Sequence, residues 1–106
     1  MQAGLEIQKI TEQLVSLYAP HKLFLFGSQA KNAASDKSDI DLCVVTDTAN
    51  KRKLLTDMYL NIESNKPFDL LLYTPNEWET SVSDRTSFAH AINEKGVVLY
   101  VRQHEI

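Results

Sequence analysis

The run Leu23-Phe24-Leu25-Phe26-Gly27-Ser28, followed a few residues later by Ser38-Asp39-Ile40-Asp41-Leu42-Cys43-Val44-Val45, constrains this chain more than any other part of it. An unbroken apolar run of this length, closed by a glycine, fits a buried strand better than a helix. Gly27 lacks a Cβ, so the backbone can turn sharply there and a ligand can approach the main chain. Ser28 is a favoured N-cap residue and predicts a short polar helix whose first N–H groups and hydroxyl converge on one point. Such a helix start attracts phosphate, both through its unpaired donors and through its dipole.

The second part of the stretch carries the opposite charge. Asp39 and Asp41 are two residues apart, so on a strand they share a face while Ile40 and Leu42 point the other way. Two carboxylates on one face repel, and burial raises their pKa values. A divalent cation resolves the conflict. Mg²⁺ takes hard oxygen ligands and commonly combines one or two carboxylates with substrate phosphates. A phosphate cradle beside a carboxylate pair points to nucleotide chemistry.

Gly27-Ser28, Ala30 and Ser38-Asp39-Ile40-Asp41-Leu42 together resemble the signature of the polymerase-β-like nucleotidyltransferases, and specifically the single-domain minimal nucleotidyltransferases. The resemblance implies an α/β fold with a mixed β-sheet covered by helices. It implies that Gly27, Ser28 and Lys31 hold the triphosphate. Asp39 and Asp41, joined by Asp69 in Phe68-Asp69-Leu70-Leu71-Leu72-Tyr73, are then the catalytic carboxylates and the ligands of two Mg²⁺ ions, with ATP as substrate. In such sites two ions about 3.5–4 Å apart clamp the attacking and leaving oxygens of an in-line displacement. Three positions depart from the pattern. The family's usual arginine after Gly-Ser is Gln29, its second basic position is Lys31, and the glycine after that is Asn32. Glutamine cannot supply the bidentate, charged phosphate contact of arginine.

With 106 residues the chain is expected to form one nucleotidyltransferase domain, residues 1–106, around a single modest core. Its 43% hydrophobic and 24% charged content is ordinary for a soluble globular protein. A net charge of -3 argues against non-specific nucleic-acid binding, which runs on basic surface. One cysteine excludes an internal disulfide and suits a reducing compartment. No apolar stretch spans a bilayer and no signal-peptide pattern opens the chain, so a cytoplasmic protein is expected.

Taken in order, Leu5 to Tyr18 places Ile7, Ile10, Leu14, Leu17 and Tyr18 at helical spacing, closed by Pro20. Lys51 to Ser64 forms a second helix with Leu54, Leu55, Met58 and Ile62 on one face, after a capping-rich Thr46–Asn50. Its opening Lys51-Arg52-Lys53 reads as a solvated helix start. Thr74-Pro75-Asn76-Glu77 is a capping box with proline at the first helical position. Trp78 after it fits either an inward position or an interface. Ser83 to Lys95 reads as one helix with Phe88, Ala91 and Ile92 inward and Gly96 past its end. Val97 to Val101 is a final strand. His21 is read as a surface-loop residue, His90 as structural, Asp36, Asp47 and Asp57 as solvated, and Cys43 as a small buried apolar residue. The polar loop from Ala33 to Lys37 lacks both the Gly-Lys-Ser/Thr of a P-loop and the ligand ladder of an EF-hand.

Larger relatives carry a further domain for the acceptor, and this length leaves no room for one. Minimal nucleotidyltransferases typically act beside a helical HEPN-domain protein, as antitoxins that adenylylate it. The resemblance therefore implies AMP transfer from ATP to a partner hydroxyl, while a homo-oligomer is left open by the sequence. The competing expectation is a module that neutralises its partner by contact alone, which Gln29 favours and Ser28, Asp39, Asp41 and Asp69 oppose. A nucleotide sensor that binds without transfer is a third.

Overall fold

The structure is a computed structural model and describes residues 2–27, 29–30 and 39–103. Helix α1 (Gln2–Tyr18) leads into strand β1 (Lys22–Phe26), then β2 (Ile40–Val45), α2 (Lys51–Asn61), β3 (Phe68–Tyr73), α3 (Pro75–Ser83), α4 (Phe88–Lys95) and β4 (Val97–Val101). The strands form one sheet in the order β3-β2-β1-β4. β1 runs antiparallel to both β2 and β4, while β2 and β3 are parallel, so the sheet is mixed as expected. A parallel pair needs a crossover, and α2 supplies it.

The period-two alternation of the strands sorts the core into two layers. Leu23, Leu25, Ile40, Leu42, Val44 and Leu72 pack with Ile10 and Leu14 of α1 and with Met58 and Ile62 at α2. Phe24, Cys43 and Val45 pack on the opposite face with Trp78 of α3 and Ala89 and Ile92 of α4. β2 lies inside the sheet and is buried along its length except at Asp41. A carboxylate in that strand breaks an otherwise apolar run, and such a position needs a local reason.

The helices form close to where the apolar spacing puts them, with differences that have physical causes. α1 begins three residues earlier than expected and buries Ile10 and Leu14 completely; Leu17 lies past the edge of that stripe and is 57% exposed. Its end is set by Ala19, held at φ 44°, and by Pro20, which cannot extend a helix. α2 stops at Asn61 rather than Ser64, because Ile62 turns extended and its N–H caps the Met58 carbonyl.

The expected helix from Ser83 to Lys95 is in fact the end of α3, a turn and α4. Asp84 Oδ1 accepts from the Thr86 N–H at 2.9 Å and from its hydroxyl at 2.7 Å, and Ser87 caps α4 by accepting from the His90 N–H at 3.0 Å. Short carboxylate and hydroxyl side chains offer the backbone these alternatives to helix. Within α4, Ala89 and Ile92 are the buried pair. Ala91 is exposed and Phe88 is 56% exposed, so neither points inward as its spacing suggested. Trp78 is inward: it is 2% exposed, with ring centroids 5.0 Å from Phe24 and 5.3 Å from Tyr73. The capping box at Thr74 forms as expected, and its Glu77 also accepts from Lys51 Nζ at 3.0 Å. The basic run therefore helps fix the start of α2 to the start of α3.

Candidate active site

At the end of β1 the backbone reverses through Gly27, at φ +77°, a conformation that L side chains rarely adopt. Space makes the same demand. A Cβ on Gly27 would stand 2.5 Å from Asp41 Oδ2, so the absent side chain is what lets the carboxylate lie over the turn. The antiparallel register pairs Phe26 with Asp41, and the parallel register pairs Asp41 with Asp69. Neighbouring strands are about 4.8 Å apart, so the two carboxylates start from adjacent backbone positions on one face. That is the face covered further along by α3 and α4, to whose core Cys43, Leu71 and Tyr73 belong.

The electrostatics follow from this placement. Asp41 is half-buried, and its pKa is raised above the ordinary carboxylate value, first by burial, then by the Asp69 charge and the Asp39 charge. Asp39 and Asp69 are themselves exposed. The three aspartates are thus an electrostatic unit centred on Asp41. They are not drawn together as a ligand group: among the described residues, no three His, Cys, Asp or Glu side chains stand close enough to hold a metal ion. The donor chemistry nevertheless fits a hard cation, since the charged groups acting on Asp41 are both carboxylates and their like charge raises its pKa further.

Of the residues read from the sequence as phosphate-binding, Gly27 is the one among the described residues, and it forms the turn that ends β1. Gln29 and Ala30 continue from it as a turn. Ser28, Lys31, Asn32 and Asp36 lie outside the described residues, and with them most of the expected short helix. Cys43, next but one to Asp41, is fully buried, and burial pushes its thiol up to about 12, which keeps it protonated and inert. The histidines are placed elsewhere. His21 Nε2 is 2.8 Å from Asp47 Oδ2 before the start of β1, and His90 Nδ1 is 2.9 Å from the Val82 carbonyl.

Beside the Gly27 turn lies a cavity of about 240 Å³, walled by Phe26, Phe88, Ile92 and Gly96 and edged by Lys95. Sequence reasoning missed it, having assigned Phe88 to the core. Phe88 stands four residues before Ile92, so helical spacing alone assigns it inward, and only the packing of α4 shows that Ala89 and Ile92 are the buried residues. Phe88 meets Phe26 edge to face, with ring centroids 5.4 Å apart.

The fold has known counterparts. A family model described as polymerase beta, nucleotidyltransferase, matches residues 8–105. A crystal structure described as that of a candidate nucleotidyltransferase from Sulfolobus solfataricus is 20% identical, with a TM-score of 0.61 over 92% of this chain and 79% of that one. Comparison with curated proteins gives no match. That structural likeness concerns the fold, whereas the family match spans both the Gly27 turn and the strands that carry Asp41 and Asp69. The chain belongs to the polymerase-β nucleotidyltransferase family.

Proposed function

We propose that the protein is a Mg²⁺-dependent nucleotidyltransferase that moves AMP from ATP to a hydroxyl of a partner protein, serving as antitoxin to a HEPN-type toxin. The observation that carries the transferase part is the arrangement at Gly27: a glycine turn able to admit phosphate, overlain by a carboxylate whose protonation is favoured by burial and by two neighbouring carboxylates. Asp39, Asp41 and Asp69 would hold the metal, which when bound neutralises phosphate charge and polarises the reacting oxygens. Gly27, with Ser28 and Lys31, would bind the β- and γ-phosphates. Asp69, exposed on β3, would stand nearest the acceptor hydroxyl.

In the transfer, the acceptor oxygen bonds to the α-phosphorus and the bond from that phosphorus to the oxygen bridging to the β-phosphate breaks. Pyrophosphate leaves with that electron pair, and the hydroxyl proton passes to solvent beside Asp69. Such a reaction needs positioning and charge stabilisation and no covalent residue, which suits a site whose only cysteine is buried and protonated. The partner assignment is supported by the resemblance to minimal nucleotidyltransferases. A contact-only module is the second reading, favoured by Gln29 in place of the family's usual arginine.

Intact-mass spectrometry of the partner, mixed with this protein, ATP and Mg²⁺, tests the proposal. The partner is expected to gain the mass of AMP on a tyrosine. Asp41→Asn should stop the modification and leave the two proteins able to associate. A partner neutralised without gaining mass, equally well by the variant, assigns the protein to the contact-only reading.

A further inference from the structure

The cavity beside Gly27 is not used by anything above. It opens on the same face as Asp41, at the same end of the sheet, between the end of β1 and the last turns of α4. We propose that it receives the aromatic base of the nucleoside triphosphate, with Phe88 as the stacking wall and Lys95 at the rim. This rests on the nucleotidyl-transfer reading and adds where the nucleoside goes.

Three features of the cavity support a base. Its wall is apolar, and Phe88 presents a ring that the protein leaves more than half uncovered, so a flat π system could bury it. Phe26 stands at 89° to that ring and closes the back. Lys95 is the one charged residue lining it, among the described residues. A lysine covers apolar surface with its stem while its ammonium is attracted to an aromatic face. The size also fits. A volume of about 240 Å³ equals about eight waters at ~30 Å³ each, room for a base with part of its ribose but not for a whole nucleotide. The phosphates then remain outside, where Gly27 forms the cavity's border.

Sheet order separates this occupant from the acceptor. In β3-β2-β1-β4, Asp69 lies two strands from Gly27 and the cavity lies beyond Gly27 toward β4. At about 4.8 Å per strand, the acceptor side and the cavity are roughly 10 Å or more apart. A partner side chain approaching Asp69 therefore has no reason to enter the cavity, whereas a base tethered to phosphates at Gly27 does.

Calorimetric titration with ATP and with inorganic triphosphate, both in Mg²⁺, distinguishes the possibilities. The native protein should bind ATP more tightly than triphosphate. Phe88→Ala should weaken ATP about tenfold, the scale of one aromatic stack, and leave triphosphate unchanged. Phe88→Tyr should retain the native affinity, and Ala91→Phe, which fills the cavity from its exposed rim, should erase the preference for ATP. Equal affinity of the native protein for both ligands, or variants that change neither, would overturn the base site while leaving the triphosphate site standing. ATP affinity unaffected by Ala91→Phe, with association of a partner lost, would make the cavity a protein contact and overturn it too. Failure of both ligands to bind removes the nucleotidyl-transfer reading itself, and the base site with it.

Discussion

At Gly27 two independent demands meet on one residue. Its φ of +77° costs an L-residue roughly 1–2 kcal/mol, and the space where a Cβ would go is held by Asp41 Oδ2. Gly27→Ala should therefore lower the melting temperature and, by pushing the Asp41 carboxylate aside, abolish Mg²⁺-dependent triphosphate binding. The two contributions can be separated. In a Gly27→Ala/Asp41→Ala double variant the clash is gone, so stability should recover in part and the two effects should be non-additive. Only the backbone strain should remain. Strict additivity in thermal unfolding would mean that the carboxylate does not lie over the turn. This residue was legible in the sequence because glycine at the end of an apolar strand is a backbone requirement, and Asp41 because a carboxylate in a strand needs a reason; Asp39 lies just before that strand and is exposed. The Asp41–Asp69 pairing was not legible, since it depends on the register of two strands separated by a helix.

At the scale of elements, α4 is the piece on which the cavity depends. It has eight residues, too few to be stable without its cap and its packing. Ser87 provides the cap and also donates its hydroxyl to the Ser81 carbonyl, tying the end of α3 to the start of α4. Ser87→Ala should cost about 1 kcal/mol in denaturant unfolding, the usual value of a serine cap. Amide exchange at His90 and Ala91 should accelerate more than exchange in β2. Uniform acceleration throughout the protein would show that α4 has no independent opening. The turn from Asp84 to Ser87 escaped sequence reading because it contains neither glycine nor proline; side-chain oxygens shape it instead. The capping box at Thr74 was readable because all its partners lie within four residues. Trp78 was not, since its burial is decided by Phe24 on β1 and Tyr73 on β3.

At the scale of the whole molecule, the site and the stability of the fold are linked through Asp41. β2, which carries Asp41, supplies buried residues to both core layers, so ligand binding at its end acts on the whole cooperative unit. Mg²⁺ with ATP should raise the melting temperature more than either alone. At a hundredfold excess over the dissociation constant the stabilisation is about 2.7 kcal/mol, which in a domain of this size is roughly 10–20 °C. Without metal the sign reverses. The folded state holds the Asp41 proton more tightly than the unfolded chain, whose carboxyl titrates near the ordinary 3.8. The stability from this group is present below that value and is lost as pH rises through the higher folded value. Metal-free Asp41→Asn should accordingly melt above the native protein at pH 7, and the difference should shrink as the pH falls toward 3.8. With Mg²⁺ and ATP the order should invert, because the native protein gains the ligand's stabilisation and the variant does not. A variant that is stabilised as much as the native protein by Mg²⁺ and ATP would remove Asp41 from the metal site.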